Sequence, residues 1–253
     1  VQTCALPISY CRPRYVLRQL EYWKDSGVTL VILDGSPTEM QVPAEYVCPS
    51  VRYVYSGSHF VDRLATVRKY VSTPYCAMLG DDEFYAFSGL RQAIRLMEAD
   101  QSVIGCVGRC LYFFVDQGRF LVRDAYRQWK SFSKFANTAH QRLHEDLPPN
   151  KTHMAHYSVM RSPIWIQIME NAYQRRFSSA FVYERLVNLQ RAMLGRTEVL
   201  ECLFWFRSME NRNISNQQVG APPFLDWALD ESYQVEVVEY RKIARQLLRS
   251  EEH

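Results

Sequence analysis

Residues 28–33 read Val-Thr-Leu-Val-Ile-Leu and residues 74–79 read Pro-Tyr-Cys-Ala-Met-Leu; each run stops at a polar turn, Asp34-Gly-Ser-Pro37 and Gly80-Asp-Asp-Glu83. Uninterrupted apolar runs of this length suit strands covered on both faces, and such strands need helices above and below one sheet. The sequence between them supplies helices. Val16, Leu17, Leu20 and Trp23 share one face of a helix over residues 14–25, which Pro13 opens and Gly27 closes. Residues 51–55 form a second strand, after which Phe60, Leu64, Val67 and Val71 recur at helical spacing. A helix carrying Leu90, Ala93, Ile94 and Met97 leads to a strand at residues 103–107. This alternation with short links predicts an α/β fold with a mostly parallel sheet flanked by helices.

The second half is less regular. Residues 111–115 and 119–122 flank Asp-Gln-Gly, a hairpin signal. Residues 124–150 are aromatic, basic and weakly periodic, which suits a loop over a site. Beyond them come a strand at 157–160, a helix from Pro163, a helix over 178–194 ended by Gly195, a strand at 199–206 and a helix over 227–248. The 253 residues contain no internal repeat and no low-complexity linker, so the sequence predicts one domain over 1–253, with 1–115 and 116–253 as its two halves.

Composition excludes several function classes. At 47% apolar and 23% charged, the chain is neither disordered nor fibrous, and no apolar run approaches the ~18 residues of a membrane span. A net charge of +3 does not point to nucleic acid. Seven cysteines without a CxxC pair, and no secretory signal, predict a reduced, cytoplasmic protein. The opening Val-Gln-Thr-Cys-Ala-Leu-Pro-Ile resembles translated sequencing-adapter read-through. That reading predicts that residues 1–8 are not native and that part of a first strand is missing or replaced.

Asp81-Asp82-Glu83 carries the most chemistry. Three adjacent acids repel one another unless something cationic sits among them. They follow a buried strand, and the carboxyl ends of such strands are where open α/β sheets bind ligands. Hard oxygen donors there suit Mg²⁺ or Mn²⁺ bridging to a substrate diphosphate; the alternative is an acidic turn that leads into the next helix.

Four features in order resemble a GT-A-fold nucleotide-sugar glycosyltransferase similar to glycosyltransferase family 2. Tyr10-Cys-Arg-Pro13 before an amphipathic helix resembles that family's opening Tyr-Asn-Arg-Pro, with Cys11 in place of Asn. Val31-Ile-Leu-Asp34-Gly-Ser resembles its second strand, Arg63 falls where basic residues lie near the nucleotide, and Gly80-Asp-Asp-Glu83 resembles the DxD motif with Glu83 as last acid. The match covers about the first 115 residues.

The resemblance implies a metal-dependent transfer of a sugar from a nucleoside-diphosphate sugar to an acceptor, inverting, with Mn²⁺ or Mg²⁺ as cofactor. Tyr10, Arg12, Asp34, Arg63, Asp81 and Asp82 would bind the donor, and Asp82 and Glu83 the metal. Inversion needs a carboxylate to take the acceptor's proton. Glu184 stands roughly a hundred residues after the acids, about where the family places its base; Glu145 and Asp146 are alternatives. Each residue also has a plainer role open to it: an Asx-turn for Asp34, surface pairing for Arg63 and Arg68, a solvated helix acid bonded to Asn188 for Glu184. His153 and His156 read as ordinary histidines, Arg207 as an arginine stacked on aromatics or reaching a phosphate, and Tyr126, Trp129, Phe132 and Phe135 as loop packing or a sugar platform. Two other functions compete, a nucleotidyltransferase, which would carry a Gly-rich loop that residues 10–13 lack, and a non-catalytic module that binds nucleotide sugars.

Overall fold

The strands read from the apolar runs form the middle of the sheet. A computed structural model describes residues 3–126, 136–146, 154–211 and 222–249. Its first half runs β1 (Thr3–Ser9), α1 (Pro13–Trp23), β2 (Thr29–Asp34), β3 (Val51–Tyr55), α2 (Phe60–Leu64), β4 (Tyr75–Gly80), β5 (Phe84–Tyr85), α3 (Phe87–Ala99), β6 (Val103–Asp116) and β7 (Arg119–Asp124). Its second half adds α4 (Ala139–Asp146), β8 (Val159–Arg161), α5 (Ser162–Tyr173), α6 (Ala180–Leu194), β9 (Arg196–Ser208), α7 (Phe224–Leu229) and α8 (Gln234–Arg249). The sheet order is β3-β2-β1-β4-β8-β6-β9-β5, with β7 paired to β6. β3, β2, β1 and β4 are parallel, as are β6 and β9, while β8 runs antiparallel to both β4 and β6 and joins the two parallel blocks.

Alternation along the strands explains the helices on both faces. Leu30, Ile32, Ala77 and Leu79 pack with Val16, Leu20 and Trp23 of α1 and Leu90, Ile94 and Met97 of α3. Val31, Leu33, Cys76 and Met78 face the other way, against α2, α5 and α6. Thr3–Ser9, where the sequence suggested a strand partly missing or replaced, is buried throughout and pairs with β2 and β4.

Four expectations change in detail. The helical pattern from Phe60 to Val71 breaks after Leu64: Thr66 Oγ1 donates to the carbonyls of Asp62 and Arg63, and a 3₁₀ turn, Val67–Lys69, follows. The strand at 103–107 and the first hairpin strand are one continuous β6, with register shifts on either side of Arg109. Gly108 permits that close pairing, since a Cβ there would lie 2.7 Å from Phe204 Cβ. The strand expected from residue 157 starts at Val159, after a 3₁₀ turn, Met154–Tyr157. The single C-terminal helix is split at Asp230, whose carboxylate accepts the Ser232 N–H at 2.8 Å.

Candidate functional site

The carboxyl ends of the parallel strands converge: β1 ends at Ser9, β2 at Asp34 and β4 at Gly80, beside the three acids. The acids are buried, not splayed into solvent. Helix α1 holds their backbone, because Gln19 Nε2 donates to the carbonyls of Asp81 and Glu83 at 2.9 and 2.7 Å and Arg18 donates to that of Asp82 at 3.2 Å.

Each carboxylate meets specific donors. Asp81 accepts from Ser9 Oγ at 2.7 Å and from Arg12 at 3.1 Å. Asp82 Oδ2 accepts from Asn211 at 2.8 Å and from Arg12 at 3.4 Å. Glu83 accepts the Gly80 N–H at 3.2 Å and pairs with Arg207 at 3.4 Å. Burial pushes Asp81 up to about 7 and Glu83 up to about 8, against the opposing pull of Arg12 and Arg207 respectively. The two arginines thus leave the cluster short of positive charge.

Asp82, Glu83, Arg12, Arg207 and Asn211 line a cleft. Tyr173 of α5, Phe181, Tyr183 and Glu184 of α6, and His156 and Tyr157 line it too. Arg207 lies 5.7–5.9 Å from the ring centres of Tyr126, Tyr157 and Trp205, the aromatic stacking that the sequence allowed, and it also lines the cleft. Glu184 is half-buried; burial raises its pKa above the usual carboxylate range, while Arg207 and Arg185 pull the other way. It accepts no hydrogen bond from a described residue, and the expected bond to Asn188 does not form, since both amide atoms of Asn188 are buried without partners.

Other expected residues sit away from the cleft. Asp34 is the Asx-turn considered above: Oδ1 accepts from Ser36 N and Oγ at 2.9 and 2.5 Å, and Oδ2 from the Tyr53 hydroxyl at 2.6 Å. Arg63 is a buried strut that donates at 2.7 Å to the carbonyls of both Ser9 and Leu33. Tyr10 packs against the core. Arg68 pairs with Glu170 on the surface. His156, half-buried on the 3₁₀ turn, does line the cleft, with its pKa held down to about 4 by burial and by Arg191. His153, Trp129, Phe132 and Phe135, and the side chains of Glu145 and Asp146, lie outside the described residues. Sequence reasoning missed Ser9, Gln19 and Asn211; none of the three types announces itself without the fold.

No group of three or more His, Cys, Asp or Glu side chains poised for a metal occurs among the described residues. Asp82 and Glu83 still present two hard oxygen donors to one cleft, which suits an ion that takes one or two carboxylates and fills its shell with water and phosphate.

No protein-family model and no curated protein sequence matches the chain. Solved structures do. Residues 1–349 of S. aureus TarS in complex with UDP-GlcNAc superpose with a TM-score of 0.55 at 11% identity, over 98% of this chain and 72% of that one. The same segment in complex with UDP gives 0.55 at 11% identity over 98% and 71%, and a longer S. aureus TarS chain gives 0.53 at 11% identity over 98% and 43%. The fold is GT-A-like. The likeness spans nearly the whole chain, so the second half, irregular in sequence, belongs to the same architecture as the first.

Proposed function

We propose that this protein is a glycosyltransferase that moves a sugar from a nucleoside-diphosphate sugar to an acceptor hydroxyl with inversion, in the manner of glycosyltransferase family 2. One observation carries the reading: a single cleft holds Arg12, Asp82, Glu83 and Arg207 together with Glu184, a carboxylate with a raised pKa and no described hydrogen-bond donor. The neighbours bound to UDP-GlcNAc and UDP lend support at the level of fold.

In this reading the donor diphosphate lies beside Arg12 and Arg207, where two guanidiniums offset its charge and the charge that builds on the leaving phosphate. Mn²⁺ or Mg²⁺ bound through Asp82 and Glu83 would supply further positive charge to that diphosphate. Asp81, bonded to Ser9 and Arg12, orients Arg12 towards the donor and completes the donor-binding set. Asp34, Arg63 and Tyr10 contribute to the donor site from behind, by shaping the ends of β1 and β2. Glu184 takes the proton from the acceptor hydroxyl as that oxygen attacks the anomeric carbon and the nucleoside diphosphate departs. The seven free cysteines support a cytoplasmic setting, and no helix among the described residues is long and apolar enough to cross a membrane.

The test is calorimetry with UDP-, GDP-, dTDP- and CDP-sugars in the presence of Mn²⁺, followed by an assay of nucleoside diphosphate release. Binding of one donor and release of its nucleoside diphosphate are expected. Failure to bind any of them refutes the reading, and release of pyrophosphate would make the protein a nucleotidyltransferase.

A further inference from the structure

Helix α8 separates its charges by face. Its two acids point into the protein: Glu236 accepts from Ser178 N and Oγ at 2.8 and 2.6 Å and from Trp227 Nε1 at 2.9 Å, and Glu239 pairs with Arg175 at 3.5 Å. Val237 and Ile243 are buried on that same inner side. Three cations point outward, with Arg241, Lys242 and Arg245 all exposed and in no ion pair among the described residues. Val235 and Val238 share this outer face at helical spacing and are 85% and 62% exposed. Val238 and the three cations, with Gln246, line a shallow groove along it.

We propose that the outer face of α8 docks on an anionic phospholipid bilayer. A helix that lies in a membrane interface needs apolar side chains to enter the acyl boundary and cations to meet the headgroups, on the same side. Each Lys or Arg brought to an anionic surface is worth about fivefold in partitioning. A nucleic acid would use the cations and gain little from the exposed valines. A second copy of this chain would set three cations against three. The inference does not depend on the proposed function, since no residue of this face lines the cleft.

The experiment is flotation of the purified chain with vesicles of phosphatidylcholine alone and of phosphatidylcholine mixed with phosphatidylglycerol, at low and high salt. Expected are binding to the mixed vesicles alone, release by salt, and a loss of about a hundredfold in the triple variant Arg241→Gln, Lys242→Gln, Arg245→Gln. Val238→Ser should weaken binding with the charges intact, which separates lipid insertion from plain electrostatic adhesion. Thermal denaturation of each variant checks that it folds as the parent does. No flotation with the anionic vesicles overturns the proposal, as does equal flotation with the neutral ones or by the triple variant. Binding of the parent to an RNA homopolymer but not to the vesicles would assign the face to nucleic acid instead.

Discussion

Replacing Glu184 by Gln removes a charge and keeps the shape. The carboxylate accepts no hydrogen bond from a described residue, so the amide breaks none. The charged groups acting on it are Arg207 and Arg185, and it acts in turn on Tyr157 and Tyr173, all of which remain. A positioned general base contributes about 10²–10⁴ in rate, or about 3–5.5 kcal/mol of barrier. Glu184→Gln should therefore lower kcat by that factor and leave the calorimetric affinity for the donor unchanged, because in the proposed reading the donor is held by Arg12, Asp82, Glu83 and Arg207, all of which the variant keeps. The pH profile gives a second readout. In the parent, kcat should rise with pH through a pKa above the ordinary carboxylate range, and the variant should lose that limb. Stability should move the other way. A raised carboxyl pKa contributes stability that is complete below the unfolded value of about 4.3 and is lost as pH rises through the folded pKa. At neutral pH the Gln variant escapes that loss and should melt no lower than the parent. A kcat within threefold or so of the parent, or a fall in donor affinity to match the fall in rate, would refute the assignment.

Three further changes test other parts of the site. Asp82→Ala should abolish Mn²⁺-dependent binding of the nucleotide sugar in calorimetry, whereas unchanged affinity would contradict the metal assignment. Arg63→Met should remove a buried donor from the Ser9 and Leu33 carbonyls, the former keeping the Gly35 N–H, and cost about 1–3 kcal/mol in urea denaturation. Cys11 has φ +56°, which Asn tolerates better than Cys, so Cys11→Asn should raise stability by about 1 kcal/mol in the same assay.

The central strands were legible because nothing but burial on both faces explains an unbroken apolar run, and β3 begins and ends where the pattern did. Breaks made by side chains bonding back to the main chain were not legible. Thr66 ends one helical pattern and Asp230 divides another, and both residues also occur inside ordinary helices. The acids showed themselves by the cost of placing three charges together. Asp34 and Arg63 stood in the right order along the chain, yet their polar atoms turn towards Ser36 and Tyr53 and towards strand carbonyls; strand-end position does not fix side-chain direction. Arg207 and Asn211 reach the acids because β5, just after them, pairs with β9, Phe84 opposite Phe206, a contact between distant parts of the chain that no local pattern carries.

The placement of β1 has a consequence for synthesis. Ser9 bonds to Asp81, 72 residues further along the chain. At ribosomal speeds of about 5–20 residues per second, the apolar segment Thr3–Ser9 waits roughly 4–14 s for that neighbour to be made. Until then one of its flanks has nothing to pair with, so a holdase or the ribosomal exit surface has most to protect at this segment.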